Sequence, residues 1–287
     1  MADTGSLGLK AVRGKVRDKV VVITGGARGI GLATATALHN LGAKVAIGDV
    51  DGVRVKESGA DLGLDVYGKL DVTDPHSFAD FLDQVERRLG PIDVLINNAG
   101  IMPVGRIVDE PDAVTRRILD INVYGVILGS KLAAQRMVPR GTGHVINVAS
   151  LAGELYIVGL ATYCASKHAV VAFTDSARLE YRSAGVKFSA VLPTFVNTEL
   201  TAGTKGAKGF RNAEPAEIAD AIVKLVAHPK PRVRITKAAG AMVVSQKFWP
   251  RRIAEGLNRM LGGDHVFTDD VDVEKRQAYE ARARGEE

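Results

Sequence analysis

A single cysteine, Cys164, occurs in the 287 residues. That scarcity excludes an internal disulfide and any cysteine-built zinc or iron–sulfur site. No stretch approaches the roughly 20 apolar residues that a membrane-spanning helix needs. The opening MADTGSLGLKAVRGKVRDK also lacks the apolar run of a secretory signal. A soluble protein in the reducing cytoplasm is expected, with peripheral membrane contact left open. Acidic residues are nearly missing from positions 228–260, where eight basic residues face Glu255 alone. This stretch is net +7 in a chain of net +5. Such a patch can meet a membrane surface, an acidic partner or an anionic substrate, or be an ordinary solvated face. Only Phe248 and Trp249 accompany it as base-stacking candidates, and no nucleic-acid module is recognisable. Nucleic acid is therefore not an expected partner, and no metal site is expected.

Hydrophobic residues make up 46% of the chain, ample for a core. Apolar runs at 20–24, 44–48, 65–70, 94–97, 144–148, 187–191 and 232–235 read as strands. They are continuously apolar rather than alternating, as strands buried on both faces are. Helical patterns fall between them at 29–40, 76–89, 112–137, 161–183 and 215–227. Strand and helix in strict turn predict an α/β fold, a parallel seven-stranded sheet with helices on both faces. We expect a flexible segment at 1–16, one catalytic domain at 17–242 with a substrate loop at 194–214, and a helical extension at 243–287. In that extension Pro250 starts and Gly262 ends a helix carrying Ile253, Leu257 and Met260 on one face. The charged DDVDVEKRQAYEARARGEE after it reads as a loose helix or frayed tail.

The segment TGGARGIG, residues 24–31, joins the first strand to the first of these helices. Gly25, Gly29 and Gly31 suit a tight turn that lets backbone approach a pyrophosphate at a helix N-terminus. Asp49 ends the next strand, 18 residues beyond Gly31. That is near the spacing at which a carboxylate accepts the adenosine ribose hydroxyls. A carboxylate there opposes the 2′-phosphate of NADP, whereas Arg28 could pair with it. Asp49 carries more weight, because an arginine can swing into solvent, and NAD is the expected cofactor.

Tyr163 and Lys167 stand four apart on a helical pattern and so share a face. A phenol is a poor base at neutral pH unless a nearby cation favours phenolate. Tyr163 could then exchange a proton with an alcohol or carbonyl oxygen. Ser150 ends a strand at the sheet's C-terminal edge, where its hydroxyl could hold the same oxygen. Asn122 lies amid Ile118, Leu119, Ile121 and Val123, which suggests a buried hydrogen-bonding duty. Singly, each of these residues is as well explained by a satisfied core or capping role.

Taken as an ordered set, TGGARGIG, LDV (70–72), NNAG (97–100), Asn122, Ser150 and YCASK (163–167) resemble the short-chain dehydrogenase/reductase family. The resemblance covers roughly residues 17–236 and implies a doubly wound Rossmann-type fold. It implies that Tyr163 is the acid/base and that Lys167 lowers its pKa and holds the nicotinamide ribose. Ser150 would polarise the substrate carbonyl. Asn122 would distort its helix and anchor a water linking Lys167 to solvent. Gly25, Arg28, Gly29, Ile30 and Gly31 would cradle the cofactor beside Asp49. Asp71 and Val72 would border the adenine, and Asn98, Ala99 and Gly100 would line the cleft. Pro193, Thr194, Val196 and Thr198 would border the nicotinamide, Val196 through its backbone and Thr198 through its hydroxyl. Thr194 stands where the family often has glycine, so this loop needs an ordinary backbone conformation or accepts strain.

The segment after Ser150 is mostly apolar, with Leu151, Leu155, Tyr156, Ile157, Val158 and Leu160. Lys205, Lys208 and Arg211 sit in the glycine-containing loop expected to act as a lid. The expected substrate is an apolar secondary alcohol or ketone, lipid-like or steroid-like. The alternatives are an NADPH-dependent ketone or ketoacyl reductase and a non-enzymatic dinucleotide-binding regulator. Ile127, Leu128, Leu132, Val170, Val171 and Phe173 give the long helices apolar residues on more than one face. In the resembled family the corresponding helices pair across a two-fold axis, so a homodimer or homotetramer is expected.

Overall fold

A computed structural model describes residues 4–204, 211–235, 252 and 265–285. Seven parallel strands form one sheet in the order β3-β2-β1-β4-β5-β6-β7. These are β1 (Val20–Thr24), β2 (Lys44–Asp49), β3 (Val66–Lys69), β4 (Val94–Asn97), β5 (Gly143–Val148), β6 (Val186–Leu192) and β7 (Arg232–Arg234). Four of them, β1, β4, β5 and β6, are buried along nearly their whole length. Both faces of these strands meet helices, which is why their sequences read as unbroken apolar runs.

One face is covered by α1 (Thr4–Val16), α2 (Gly29–Asn40), α3 (Gly52–Asp61) and α8 (Pro215–Ala227). Their Val16, Leu38, Val55, Ile218 and Ile222 pack with Ile23, Ile47 and Ile96 of the strands. The other face carries α4 (Pro75–Leu89), α6 (Gly125–Met137) and α7 (Ala161–Glu180). There Phe78, Leu82, Val85, Leu128 and Met137 pack against Val22, Leu95 and Val145. A short α5 (Asp112–Leu119) runs into α6 through one π-helical turn, Asp120–Tyr124. The last described helix, α9 (Val273–Arg284), lies over the C-terminal edge of the sheet, against α5 and the loop following β6.

Three expectations change. The segment 1–16 is not wholly flexible: α1 occupies Thr4–Val16, with Val12 and Val16 on its packed side against α8. The tail at 273–284 is an ordered helix rather than a frayed one, because Arg276 is buried in it. Several apolar residues assigned to a subunit interface instead fill the core. Leu128, Val170 and Val171 are buried, whereas Ile127 faces outward. The proposed helix bearing Ile253, Leu257 and Met260, with Phe248, Trp249 and Pro250 before it, lies outside the described residues. No helix among the described residues is long and apolar enough to cross a membrane.

Strand order reverses between β1 and β4, so the loops after these two strands diverge and leave a crevice. That crevice opens into a cavity of about 1140 Å³ running along the C-terminal edge toward β6 and α9. A pocket for one small ligand takes roughly 300–1,000 Å³. The cavity therefore has room for a dinucleotide and a second molecule together.

Candidate active site

The glycine loop after β1 forms one wall. Gly31 does not line the cavity; it packs beneath it, where an added Cβ would stand 2.1 Å from the carbonyl oxygen of Gly25. Any side chain there would push the loop out of its turn. Asn98 fastens the same loop from β4, its Nδ2 donating to the carbonyls of Thr24 and Gly25 at 3.0 Å each. Thr24 completes the clamp, its hydroxyl accepting from the backbone N–H groups of Asn98 and Ala99. Thr24 opens the TGGARGIG segment, but its clamping role could not be read from the sequence.

Asp49 sits at the mouth of this crevice. Its carboxylate accepts the N–H groups of Ala27 and Asp51, each at 3.1 Å. Burial pushes its pKa up, opposed by those two hydrogen bonds and by the charge of Arg28. Arg28 pairs with Asp51 at 2.8 Å and with Glu199 at 3.6 Å. Asp71 is held in a local turn by Thr73, whose N–H and hydroxyl both donate to it. Asp71, Val72, Asn98, Ala99 and Gly100 all line the cavity. The crevice fits a dinucleotide on this chain's own features: a close glycine turn, a helix N-terminus beside it, and a carboxylate facing the gap.

Ser150, Tyr163 and Lys167 converge at the inner end. Ser150 follows β5 in extended backbone, and its Oγ accepts the N–H of Ala152 at 3.1 Å. Tyr163 and Lys167 project from the same face of α7, with Nζ 5.6 Å from the ring centre. That Nζ also donates to the carbonyl of Val148 at 3.1 Å, tying α7 to the end of β5. Asn122 lies behind them, fully buried at 0% exposure in the π-helical turn. Its amide pairs in both directions with the backbone of Ile101 at 2.9 Å and donates to Ser166. An added Cβ on Gly100 would stand 3.1 Å from Asn122 Oδ1 and 3.5 Å from Lys167 Nζ. The helix distortion expected at Asn122 is present. Asn122 does not border the cavity, however, and its side chain is engaged by protein groups.

The protonation balance differs from the sequence expectation. Burial pushes the Tyr163 phenol up to about 12, against a lowering by its hydrogen bond with Ser150. Burial also brings Lys167 down to about 8. Desolvation disfavours the charged form of both groups. The site thus holds a neutral phenol.

After β6, Pro193, Thr194, Val196 and Thr198 all border the cavity. Thr194 does not have a positive φ; the only described non-glycine residue that does is Asp18. The glycine-to-threonine departure is accommodated without backbone strain. Val196 forms a bridge with Ala213 that uses the carbonyl of Phe195 and the N–H of Asn197. The Val196 N–H lies outside that bridge. Arg211 lines the cavity and is paired in bidentate fashion with Glu217 at 2.8 Å. Lys205 and Lys208 lie outside the described residues. Two arginines of the basic stretch, Arg232 and Arg234, are neutralised by Glu154, with Asp175 also on Arg232. Among the described residues there is no cluster of three metal-ligating side chains.

The far wall belongs to residues that the sequence reading passed over. Val266, Phe267, Tyr279 and Ala283 line the cavity from the C-terminal segment. Phe267 stacks on Phe195 and packs in one cluster with Met102, Leu160 and Tyr163. Residues 266–285 thus border the cavity. The spacing of Arg276 and Glu280, four apart, was the available signal.

A sequence profile described as short chain dehydrogenase matches residues 19–208. The chain belongs to the short-chain dehydrogenase/reductase family. It is 33% identical over 265 residues to "Probable oxidoreductase EphD" of Mycobacterium tuberculosis, covering 84% of this chain and 45% of that protein. This chain therefore spans less than half the length of that relative. It is 36% identical over 220 residues to "3-alpha-(or 20-beta)-hydroxysteroid dehydrogenase" of the same organism, covering 74% of this chain and 84% of that one. Among solved structures, "Crystal structure of gox2181" superimposes with a TM-score of 0.73 at 28% identity. That likeness covers 79% of this chain and 98% of the other. The family is one of NAD(P)-dependent oxidoreductases of alcohols and ketones.

Proposed function

We propose that the protein is an NAD(H)-dependent oxidoreductase that interconverts an apolar secondary alcohol, lipid-like or steroid-like, and its ketone. The observation that carries this reading is the convergence of Ser150, Tyr163 and Lys167 at the inner end of a cleft large enough for two ligands. In reduction, the Tyr163 phenol gives its proton to the carbonyl oxygen; in oxidation, the phenolate takes the hydroxyl proton. The neutral phenol favoured by burial is the form that donates. Ser150 Oγ accepts from Ala152 and is hydrogen-bonded with Tyr163, which sets it beside the substrate oxygen that the phenol meets. Lys167, anchored on Val148, holds its ammonium beside the phenol and within reach of a nicotinamide ribose. Asn122 fixes the backbone of Ile101 behind this group.

A nicotinamide dinucleotide, when bound, supplies or accepts the hydride and, in its oxidised form, adds a positive ring that favours phenolate. Asp49 would hold the adenosine ribose, the glycine loop the pyrophosphate, and Val196 N–H with Thr198 the carboxamide. NAD is favoured over NADP because the Asp49 carboxylate opposes a 2′-phosphate, while Arg28 is already paired with two carboxylates. The apolar lining from Met102, Leu155, Leu160, Phe195 and Phe267 favours an apolar substrate, and the likeness to a hydroxysteroid dehydrogenase supports the same class. The test is a panel of apolar alcohols and ketones followed by nicotinamide absorbance with NAD(H) and NADP(H). Turnover with NAD(H) on at least one panel member is expected, and none on any member refutes the reading.

A further inference from the structure

The C-terminal helix is secured by a charge placed where charges are rarely found. Arg276 is 1% exposed. Its Nη1 donates to the carbonyls of Leu200 and Ala202 at 2.9 and 3.0 Å, and its Nη2 to that of Met102. Its Nε meets Glu280 at 2.6 Å, and Glu280 also accepts the N–H of Val104. One arginine thus binds α9 to the loop after β4 and the loop after β6. The same guanidinium lies 4.8 Å from the centre of the Tyr279 ring, fixing that ring in place.

Tyr279 is half-buried and lines the same cavity as Tyr163. Its Oη accepts the N–H of Met102 at 2.7 Å. Accepting that bond polarises the hydroxyl and makes it a better donor. Among the described residues, the Tyr279 hydroxyl hydrogen has no acceptor. Met102, the Arg276 guanidinium, Glu280 and Tyr163 are its neighbours, and Phe195, Val266 and Phe267 line the same cavity. A hydroxyl held by the bond it accepts keeps its own proton to donate to an oxygen that enters the cavity.

We propose that Tyr279 is a specificity-determining residue that donates a hydrogen bond to a second oxygen of the substrate, other than the one that meets Tyr163. The substrate class is narrowed to apolar frameworks carrying two oxygen functions, such as diones and hydroxyketones. A site built around a hydrogen bond discriminates against analogues lacking the partner more sharply than an apolar pocket discriminates by size. This inference rests on the oxidoreductase reading above.

The test uses the full chain with NADH and matched pairs of ketones: cyclohexanone, decalone and androstanone, each against a dione of the same skeleton. Wild type should show the lower KM for the dione of at least one pair. Tyr279→Phe keeps the ring and removes the donor, and should raise KM for that dione roughly fivefold to tenfold more than for its monoketone. Titration of nicotinamide fluorescence checks that the variant retains its dinucleotide site; if it does not, the wild-type preference within pairs decides. Turnover with equal losses in both members of every pair, or a wild type indifferent to the second oxygen, overturns the proposal and leaves the oxidoreductase reading standing. No turnover of any ketone overturns both.

Discussion

Lys167 is held at a cost that can be read from its titration. Burial lowers its pKa from an ordinary 10.5 to about 8. A base whose folded pKa lies below its unfolded value binds fewer protons when folded, so stability rises as pH climbs between the two values. Below pH 8 both states are protonated and the full penalty applies, about 3 kcal/mol for a shift of this size. By pH 10 most of it has gone, so the lysine contributes a gain of about 2.5 kcal/mol between pH 7 and 10. Lys167→Met keeps the length of the side chain and removes the charge. At pH 7 the variant should exceed wild type by about 2 kcal/mol, after roughly 1 kcal/mol is subtracted for the lost bond to Val148. At pH 10 the advantage should vanish or reverse. Tyr163, raised in the opposite sense, titrates in both proteins at higher pH and largely cancels. Urea unfolding followed by circular dichroism at pH 7, 8, 9 and 10, at one protein concentration, gives the difference directly. A stability difference independent of pH would refute the reasoning.

Removal of the proton donor in Tyr163→Phe should lower turnover by about 10²–10⁴ while leaving NADH affinity nearly unchanged; near wild-type turnover on a confirmed substrate would contradict the assignment. Wild type should bind NADH more tightly than NADPH in fluorescence titrations, and Asp49→Ala should narrow the gap; a wild type that prefers NADPH would reverse the cofactor assignment. Arg276→Met should weaken docking of α9 by about 2–4 kcal/mol, read as faster amide exchange at Met102 and Val104, whose N–H groups α9 accepts. Unchanged exchange there would show that the helix does not depend on this arginine. Light scattering should report a dimer or tetramer at micromolar concentration, and Ile127→Asp should shift it toward monomer; a monomeric wild type would rule out the assembly.

The parts legible in the sequence were those whose environment is uniform. Strands such as 94–97 and 187–191 are buried on both faces, so nearly every residue is apolar and position hardly matters. The candidate reacting group was picked out because Tyr163, Lys167, Ser150 and Asn122 stand in the order of the resembled family, not by any one of them alone. What escaped was held by one or two residues each. Helix α3 begins with glycine, carries four charges in ten residues and is capped by Asp51, whose carboxylate accepts the N–H of Arg54. Helix α9 reads as a charged tail because a buried arginine and a solvated one are the same letter. The energetic balance at Tyr163 escaped for another reason: proximity of Lys167 follows from spacing, whereas desolvation depends on everything packed around the pair.

Glu199 accepts two arginines from opposite sides of the cleft, Arg28 of the glycine loop at 3.6 Å and Arg282 of α9 at 2.5 Å. Both pairs are open to water, whereas Arg276, six residues earlier on α9, is sealed from it. Dissolved ions screen exposed charges over about 8 Å at physiological strength and reach buried ones far less. The helix therefore has a dry hinge and a wet latch. Added salt should weaken the latch well before it weakens the hinge.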